Sequence, residues 1–239
     1  LSRKARASAR ALVVFATLLG AATSGWTQTP PAAAAAKATP ADDPMLKRVF
    51  PSIVRIEVIR LRPADGRLAK QWTAGSGVVI SADGYVITNC HVTEDGDYFR
   101  CYLYDGTHVD ARRVGQDALT DLAILQLDLT QRAKDAAPLV VTKFADSDKL
   151  GAGDVVFALG SPGFVSQSVT RGVVANPSLV LPEQTAGRFY LRGENVGTLV
   201  RWIIHDAQIF GGNSGGRLVN DRGDIVGINE IGVFNLGGA

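Results

Sequence analysis

Methionine occurs once, cysteine twice and histidine three times in the 239 residues, and aromatic residues make up only 7%. With so few soft or imidazole ligands, no His/Cys/Asp cluster has metal-ligand spacing, so no metal site and no cofactor are expected. Long hydrophobic runs are also missing. The apolar stretch near the start runs only from Ala11 to Ala22, where a helix crossing a bilayer would need about 18–20 residues. Between 52 and 239 no amphipathic pattern of helical period is sustained over several turns, which excludes a helical bundle. Charge of one sign is lacking too. The formal net charge is +2, but the stretch before Asp42 carries Arg3, Lys4, Arg6, Arg10, Lys37 and no acid. Without that stretch, 20 basic groups face 23 acidic ones, a balance of −3 that offers nothing to nucleic acid.

What is present falls into three stretches. Residues 1–10 are basic, 11–22 are apolar, and Ala22-Thr23-Ser24 is a stretch of small residues. That order makes a secretory signal peptide over 1–24 cut after Ser24, with an uncleaved anchor as the rival reading. Once it is removed, no stable membrane span remains. Residues 25–44 are rich in Pro and Ala without periodicity and read as a linker. The folded domain is expected from 45 to 239, entered by a short helical turn from Pro44 to Phe50.

From Ser52 onward the texture is β. SIVRIEVIRL alternates apolar and polar residues, and GSGVVIS, an Asp83-Gly84 turn and YVITNCHV read as a hairpin. Short runs follow as YFRCYLY, THVDARRV, DLAILQL, LVVTKF, DVVFALG, SVTRGVVA, RWIIHDA, RLVN and DIVGINEI. About a dozen strands with turns every 8–12 residues predict an all-β protein. They are too many for one small barrel, so two are expected, about 45–148 and 149–239.

The segment Gly211-Gly212-Asn213-Ser214-Gly215-Gly216 sets four glycines around one serine. Glycine permits positive φ and close backbone approach, so such a turn can hold a hydroxyl beside converging peptide N–H groups. An ordinary polar loop has the same composition, so the partners decide. His91 ends the run YVITNC, and Asp121 stands at the mouth of the apolar run Leu122–Leu125, where a carboxylate needs a partner. Asp117 lacks that apolar continuation and reads as a solvated loop acid. His91, Asp121 and Ser214 then form the set of base, orienting acid and nucleophile that acyl transfer requires.

Here the chain resembles the trypsin-like serine endopeptidases, and within them the HtrA/Deg group of bacterial periplasmic proteases. The likeness rests on TNCHV, TDLAIL and GGNSGG, and also on GSGVVI, DGYVITN, GDVVFALGSPG, SVTRGVV and GDIVGIN. It covers roughly Met45 to Asn229. The resemblance implies two perpendicular six-stranded antiparallel β-barrels with the active site in their cleft. It also implies an oxyanion hole from the N–H groups of Gly212 and Ser214, and polypeptide substrates from protein quality control. Gln208, Ile209, Gly227, Ile228 and Asn229 are expected to line the substrate site. With no aspartate at the pocket base, cleavage after small or aliphatic residues is expected. A homo-oligomer is implied by the family, and a peptide-binding chaperone or pseudoprotease using the same cleft is the alternative.

Departures from the family are Phe210-Gly211 and Arg217, where the group has Asn-Pro and Pro, and an extended segment from Asn176 to Leu199. Asn213 carries no charge, so activation by cutting is not expected; loops that order the oxyanion turn would control the enzyme. The chain stops at Ala239, shortly after Ser214, where the family continues with a strand, a helix and often a PDZ domain, so a truncated last strand is expected. In an oxidising periplasm Cys90 and Cys101 would allow a disulfide contributing roughly 3 kcal/mol, two separately buried thiols being the alternative.

Overall fold

The structure is a computed structural model that describes residues 43–64, 66–161, 167–180, 190–191, 194–195 and 200–230. The expected signal peptide, most of the linker and the expected strand from Phe234 lie outside the described residues. Asp43 caps the entry helix α1 (Pro44–Val49): its Oδ1 accepts the N–H groups of Met45 and Leu46 at 2.7 and 3.4 Å. Two basic residues, Lys47 and Arg48, stand in the last turn, where the helix dipole favours them.

Six strands then close a barrel: β1 (Ile53–Ala64), β2 (Arg67–Val79), β3 (Tyr85–Asn89), β4 (Tyr98–Tyr102), β5 (His108–Asp117) and β6 (Leu122–Leu127). Their order around the barrel is β1-β2-β3-β6-β5-β4, with every pair antiparallel. The period-two pattern works as expected: Val54, Ile56 and Val58 point inward to meet Val79, Val86, Val109 and Leu125 in a fully enclosed core. Gly84 supplies the left-handed residue of the β2–β3 turn with φ +93°. The one-turn helix α2 (Cys90–Thr93) interrupts the chain directly after β3.

The second half contains β7 (Val155–Gly160), β8 (Ser168–Leu179), the two-residue pair β9 (Tyr190–Leu191) and β10 (Glu194–Asn195), then β11 (Trp202–His205), β12 (Arg217–Val219) and β13 (Ile225–Ile228). Among the described residues it is a five-stranded sheet ordered β11-β8-β7-β12-β13, not a six-stranded barrel. The run LVVTKF forms no strand. It crosses between the halves with one parallel bridge, Phe144 to Ile225, and leaves Val140, Val141 and Phe144 exposed. Apolar residues from both halves and from α1 share one core: Leu46, Val49, Ile53 and Val78 pack on Leu159, Val219 and Ile225. This shared core holds the two sheets in fixed register, so groups at their junction can be positioned against one another.

The cysteines are not bridged. Both are buried thiols, Cys90 in α2 after β3 and Cys101 on β4. Strands β3 and β4 are not neighbours in the barrel, so of the two readings the structure has the separately buried thiols rather than the possible disulfide. Burial pushes the Cys101 thiol up to about 12, so it is inert near neutral pH.

Candidate active site

Asp121 connects the β5–β6 turn to the barrel and carries φ +52°, a left-handed conformation that aspartate tolerates better than most residues. Four hydrogen bonds hold it there. Its carbonyl accepts Cys90 N–H at 2.9 Å and Asn89 Nδ2 at 3.0 Å. Its Oδ1 accepts the His91 backbone N–H at 2.9 Å, and its Oδ2 meets His91 Nδ1 at 2.6 Å. The carboxylate is only 3% exposed, whereas the imidazole is 35% exposed and faces outward. Upstream, Asp117 accepts from Leu119 N–H and Thr120 Oγ1 and so shapes the turn that delivers Asp121. His91 lies in α2, not at the end of the strand; the single helical turn brings its backbone N–H and its ring to the same carboxylate.

Burial opposes charge on His91, but the hydrogen bond and charge of Asp121, together with the charges of Glu230 and Glu94, outweigh it. The imidazole is therefore raised above its ordinary range.

Ser214 lies in the turn before β12. Asn213 N–H donates to Phe210 O at 2.9 Å, closing a four-residue turn with Gly212 in its third place at φ +99°, as a type II turn demands. Gly216 N–H donates to Asn213 O, and Gly215 N–H to Asn229 O, both at 2.9 Å. The N–H groups of Gly212 and Ser214 take no backbone acceptor among the described residues. Gly215 has φ +81°, and a Cβ there would stand 2.0 Å from Ser76 O and 2.2 Å from Thr88 Oγ1. Only glycine lets this turn press on the first barrel.

Ser76 of β2 is the clamp between the halves, and the sequence reading missed it. Its N–H donates to Ser214 O at 2.8 Å. Its Oγ donates to Gly212 O at 2.6 Å and accepts Ser161 N–H at 2.7 Å. Thr88 Oγ1 in turn donates to Ser76 O at 2.7 Å. The structure thus brings His91 and Asp121 together and ties the Ser214 turn to the same barrel. Ser214 Oγ itself donates to the main-chain carbonyl of Glu230, not to His91. Asn213 is fully buried, and neither amide atom has a protein partner among the described residues.

The expected substrate-lining residues divide. Gln208 is exposed, and its carbonyl accepts Thr170 Oγ1 at 2.7 Å. Ile209 packs on the core of the second sheet formed by Val156, Ala158, Val174 and Leu218. Gly227 and Ile228 lie on β13, the edge strand. Asn229 is buried: its Nδ2 donates to Leu159 O and Arg217 O, its N–H donates to Gly216 O, and its carbonyl accepts Gly215 N–H. All of its polar groups but Oδ1 are used inside the sheet.

Glu230, also unforeseen, brings its carboxyl to this group. Ligand-capable atoms of His91, Asp121 and Glu230 all lie within 4.8 Å of one another. Distance alone would admit a cation, but His91 Nδ1 and both Asp121 oxygens already have hydrogen-bond partners. Glu230 and Asp121 belong to opposite halves of the chain, so spacing in sequence could not reveal the group.

Two joined β units, a paired imidazole and carboxylate, and a glycine-built serine turn at their junction define a chymotrypsin-like all-β hydrolase architecture. The trypsin-like peptidase domain family matches residues 75–228. The chain belongs to that family, in its HtrA/Deg group. It is 40% identical over 165 residues to the periplasmic serine endoprotease DegP of Escherichia coli (strain K12), covering 69% of this chain and 31% of that protein. It is equally 40% identical over 165 residues to a probable periplasmic serine protease do/HhoA-like of Haemophilus influenzae, covering 69% and 32%. The chain thus spans about a third of the length of these relatives. Among solved structures, the HtrA-type protease AlgW with tripeptide aligns with a TM-score of 0.62 at 32% identity, covering 77% of this chain and 52% of that one.

Proposed function

We propose that the chain is the catalytic domain of an exported serine endopeptidase that cleaves unfolded or damaged polypeptides in the bacterial periplasm. The observation that carries this reading is the 2.6 Å contact of His91 Nδ1 with buried Asp121, on the barrel that also clamps the Ser214 turn. Asp121 accepts the Nδ1 proton and so leaves Nε2 as the basic nitrogen. Ser214 Oγ turns from the Glu230 carbonyl to Nε2, a change between staggered rotamers. As Oγ attacks a peptide carbonyl, His91 takes its proton and then gives it to the leaving amine; water reverses the sequence to release the acyl group. The N–H groups of Gly212 and Ser214 are the donors for the oxyanion, each worth about 2.7–4 kcal/mol at the transition state. Ile209 offers an apolar wall suited to small or aliphatic side chains.

The Ser214–Glu230 hydrogen bond favours one rival, a peptide-binding chaperone with the same cleft and no turnover. Incubation of unfolded casein with wild type and Ser214→Ala separates them. Cleavage by wild type alone is expected; no cleavage by either would refute the peptidase reading.

A further inference from the structure

Glu230 follows the buried Asn229 at the end of β13 and is anchored on both sides of its peptide. Asn229 N–H bonds Gly216 O at 2.8 Å, and the Glu230 carbonyl accepts Ser214 Oγ. Its side chain is thereby directed at the His91–Asp121 pair, within the 4.8 Å group already described. Carboxyl oxygens of Glu230 and Asp121 lie within 4.8 Å, and two carboxyls that close in a buried site cannot both be ionised without strong repulsion, so the pair retains one proton. Asp121 accepts two N–H bonds from His91 that stabilise its charge. The proton therefore stays on Glu230.

We infer that Glu230 is a positioning residue: its protonated carboxyl donates to Asp121 and helps fix the carboxylate that orients His91. The inference rests on the proposed catalytic roles of His91, Asp121 and Ser214. Among the described residues the titratable groups facing Glu230 are Asp121 and His91; Glu94, at the end of α2, acts on His91 from its own element. Burial, then the charge of Asp121, push the Glu230 carboxyl up to about 8, against an opposing effect of His91. Asp121 is the principal group that raises the imidazole, with smaller contributions from Glu230 and Glu94. Loss of the Glu230 proton sets two carboxylates against each other.

The test is the rate at which diisopropyl fluorophosphate modifies Ser214 between pH 6 and 10, which needs the nucleophile and base but no peptide. The wild-type rate should rise as His91 becomes neutral and then decline above about pH 8, to roughly one-thirtieth of its plateau at pH 9.5. Glu230→Gln, which donates through Nε2 at every pH, should hold its own plateau to pH 9.5. Glu230→Ala should be slower throughout, with no decline near pH 8. An identical alkaline limb in wild type and Glu230→Gln overturns the role of Glu230 while leaving the triad standing. No modification of Ser214 at any pH overturns the triad and this inference together. A measurement independent of the variants is the side-chain carboxyl ¹³C titration of Glu230 in labelled wild-type protein. A midpoint near 8 supports the inference, and one near the ordinary 4.5 overturns it.

Discussion

Replacing Ser76 by alanine should damage catalysis more than folding, and the size of the effect can be worked from its contacts. The substitution removes two hydrogen bonds of a fully buried hydroxyl, to Gly212 O at 2.6 Å and from Ser161 N–H at 2.7 Å. The half-buried bond to Gly212 O is worth about 1 kcal/mol net, and the buried Ser161 N–H left without its acceptor costs about 1–3 kcal/mol, so the total is roughly 2–4 kcal/mol. The structure indicates where that energy is released. The barrel core of Val54, Ile56, Val58 and Leu125 does not involve the hydroxyl. The Ser76 N–H bond to Ser214 O survives, because it is a backbone bond. What loses its anchor is the Gly212 carbonyl, in a turn where Gly211 has open space around it. If that turn absorbs the whole cost, its formed population falls by a factor of tens to hundreds, and kcat falls with it. Steady-state kinetics on a chromogenic peptide ending in alanine or valine, beside a calorimetric melt, would measure this. A kcat within twofold of wild type with an unchanged Tm would refute the assignment of Ser76 as the clamp.

Gly215→Ala should fail differently. A left-handed alanine whose Cβ falls 2.0 Å from Ser76 O should cost roughly 3 kcal/mol or more, read as a lowered Tm together with lost activity. For pH dependence, a base must be neutral to act, and Asp121, with Glu230 and Glu94, raises His91 above 6.5 against the opposing effect of burial. The acidic limb of kcat/KM should therefore have its midpoint above 6.5 and move down in Asp121→Asn; a wild-type midpoint at or below 6.5 would contradict the charge balance. The same raised value stabilises the fold below the unfolded pKa, and that contribution fades as pH rises through the folded one.

The residues proposed to carry chemistry were legible as candidates because acyl transfer restricts their types and surroundings. An acid at the mouth of Leu122–Leu127 must find a partner, and Asp121 found His91. Alternation in Ile53–Arg60 was legible because one face of that strand fills a barrel. The apolar run 139–144 misled because strand-like composition does not supply a sustained neighbour: the run pairs only at its end, by one parallel bridge of Phe144 to Ile225. Arg217 was visible only as a departure from a family pattern. In the structure it is fully buried, donating to Val49 O, Ser52 Oγ and Thr142 Oγ1, with burial lowering its guanidinium to about 9. A charged residue opening a strand would ordinarily be placed in solvent. Ser76 and Glu230 were illegible for a simpler reason. Their respective partners, Gly212 and Asp121, each lie in the other half of the chain, and nothing local marks either.

The glycines of the serine turn, which looked alike in sequence, divide into two groups by what surrounds them. At Gly215 and Gly216 a Cβ would strike backbone oxygens at 2.0 and 2.2 Å, so these positions are fixed against Ser76 and Leu159. At Gly211 nothing lies within 4 Å. The N–H groups of Asn213, Gly215 and Gly216 are all committed to hydrogen bonds, so the turn from Asn213 onward cannot rearrange without breaking the junction. Any ordering or distortion of the oxyanion site must then act on the peptide between Gly211 and Gly212. That peptide carries the Gly212 N–H, one of the two proposed oxyanion donors. Its only lateral hold on the first barrel among the described residues is the hydroxyl of Ser76 on the adjoining carbonyl. Control through this turn therefore centres on the Gly211–Gly212 peptide, with the next peptide held at its carbonyl by Ser76.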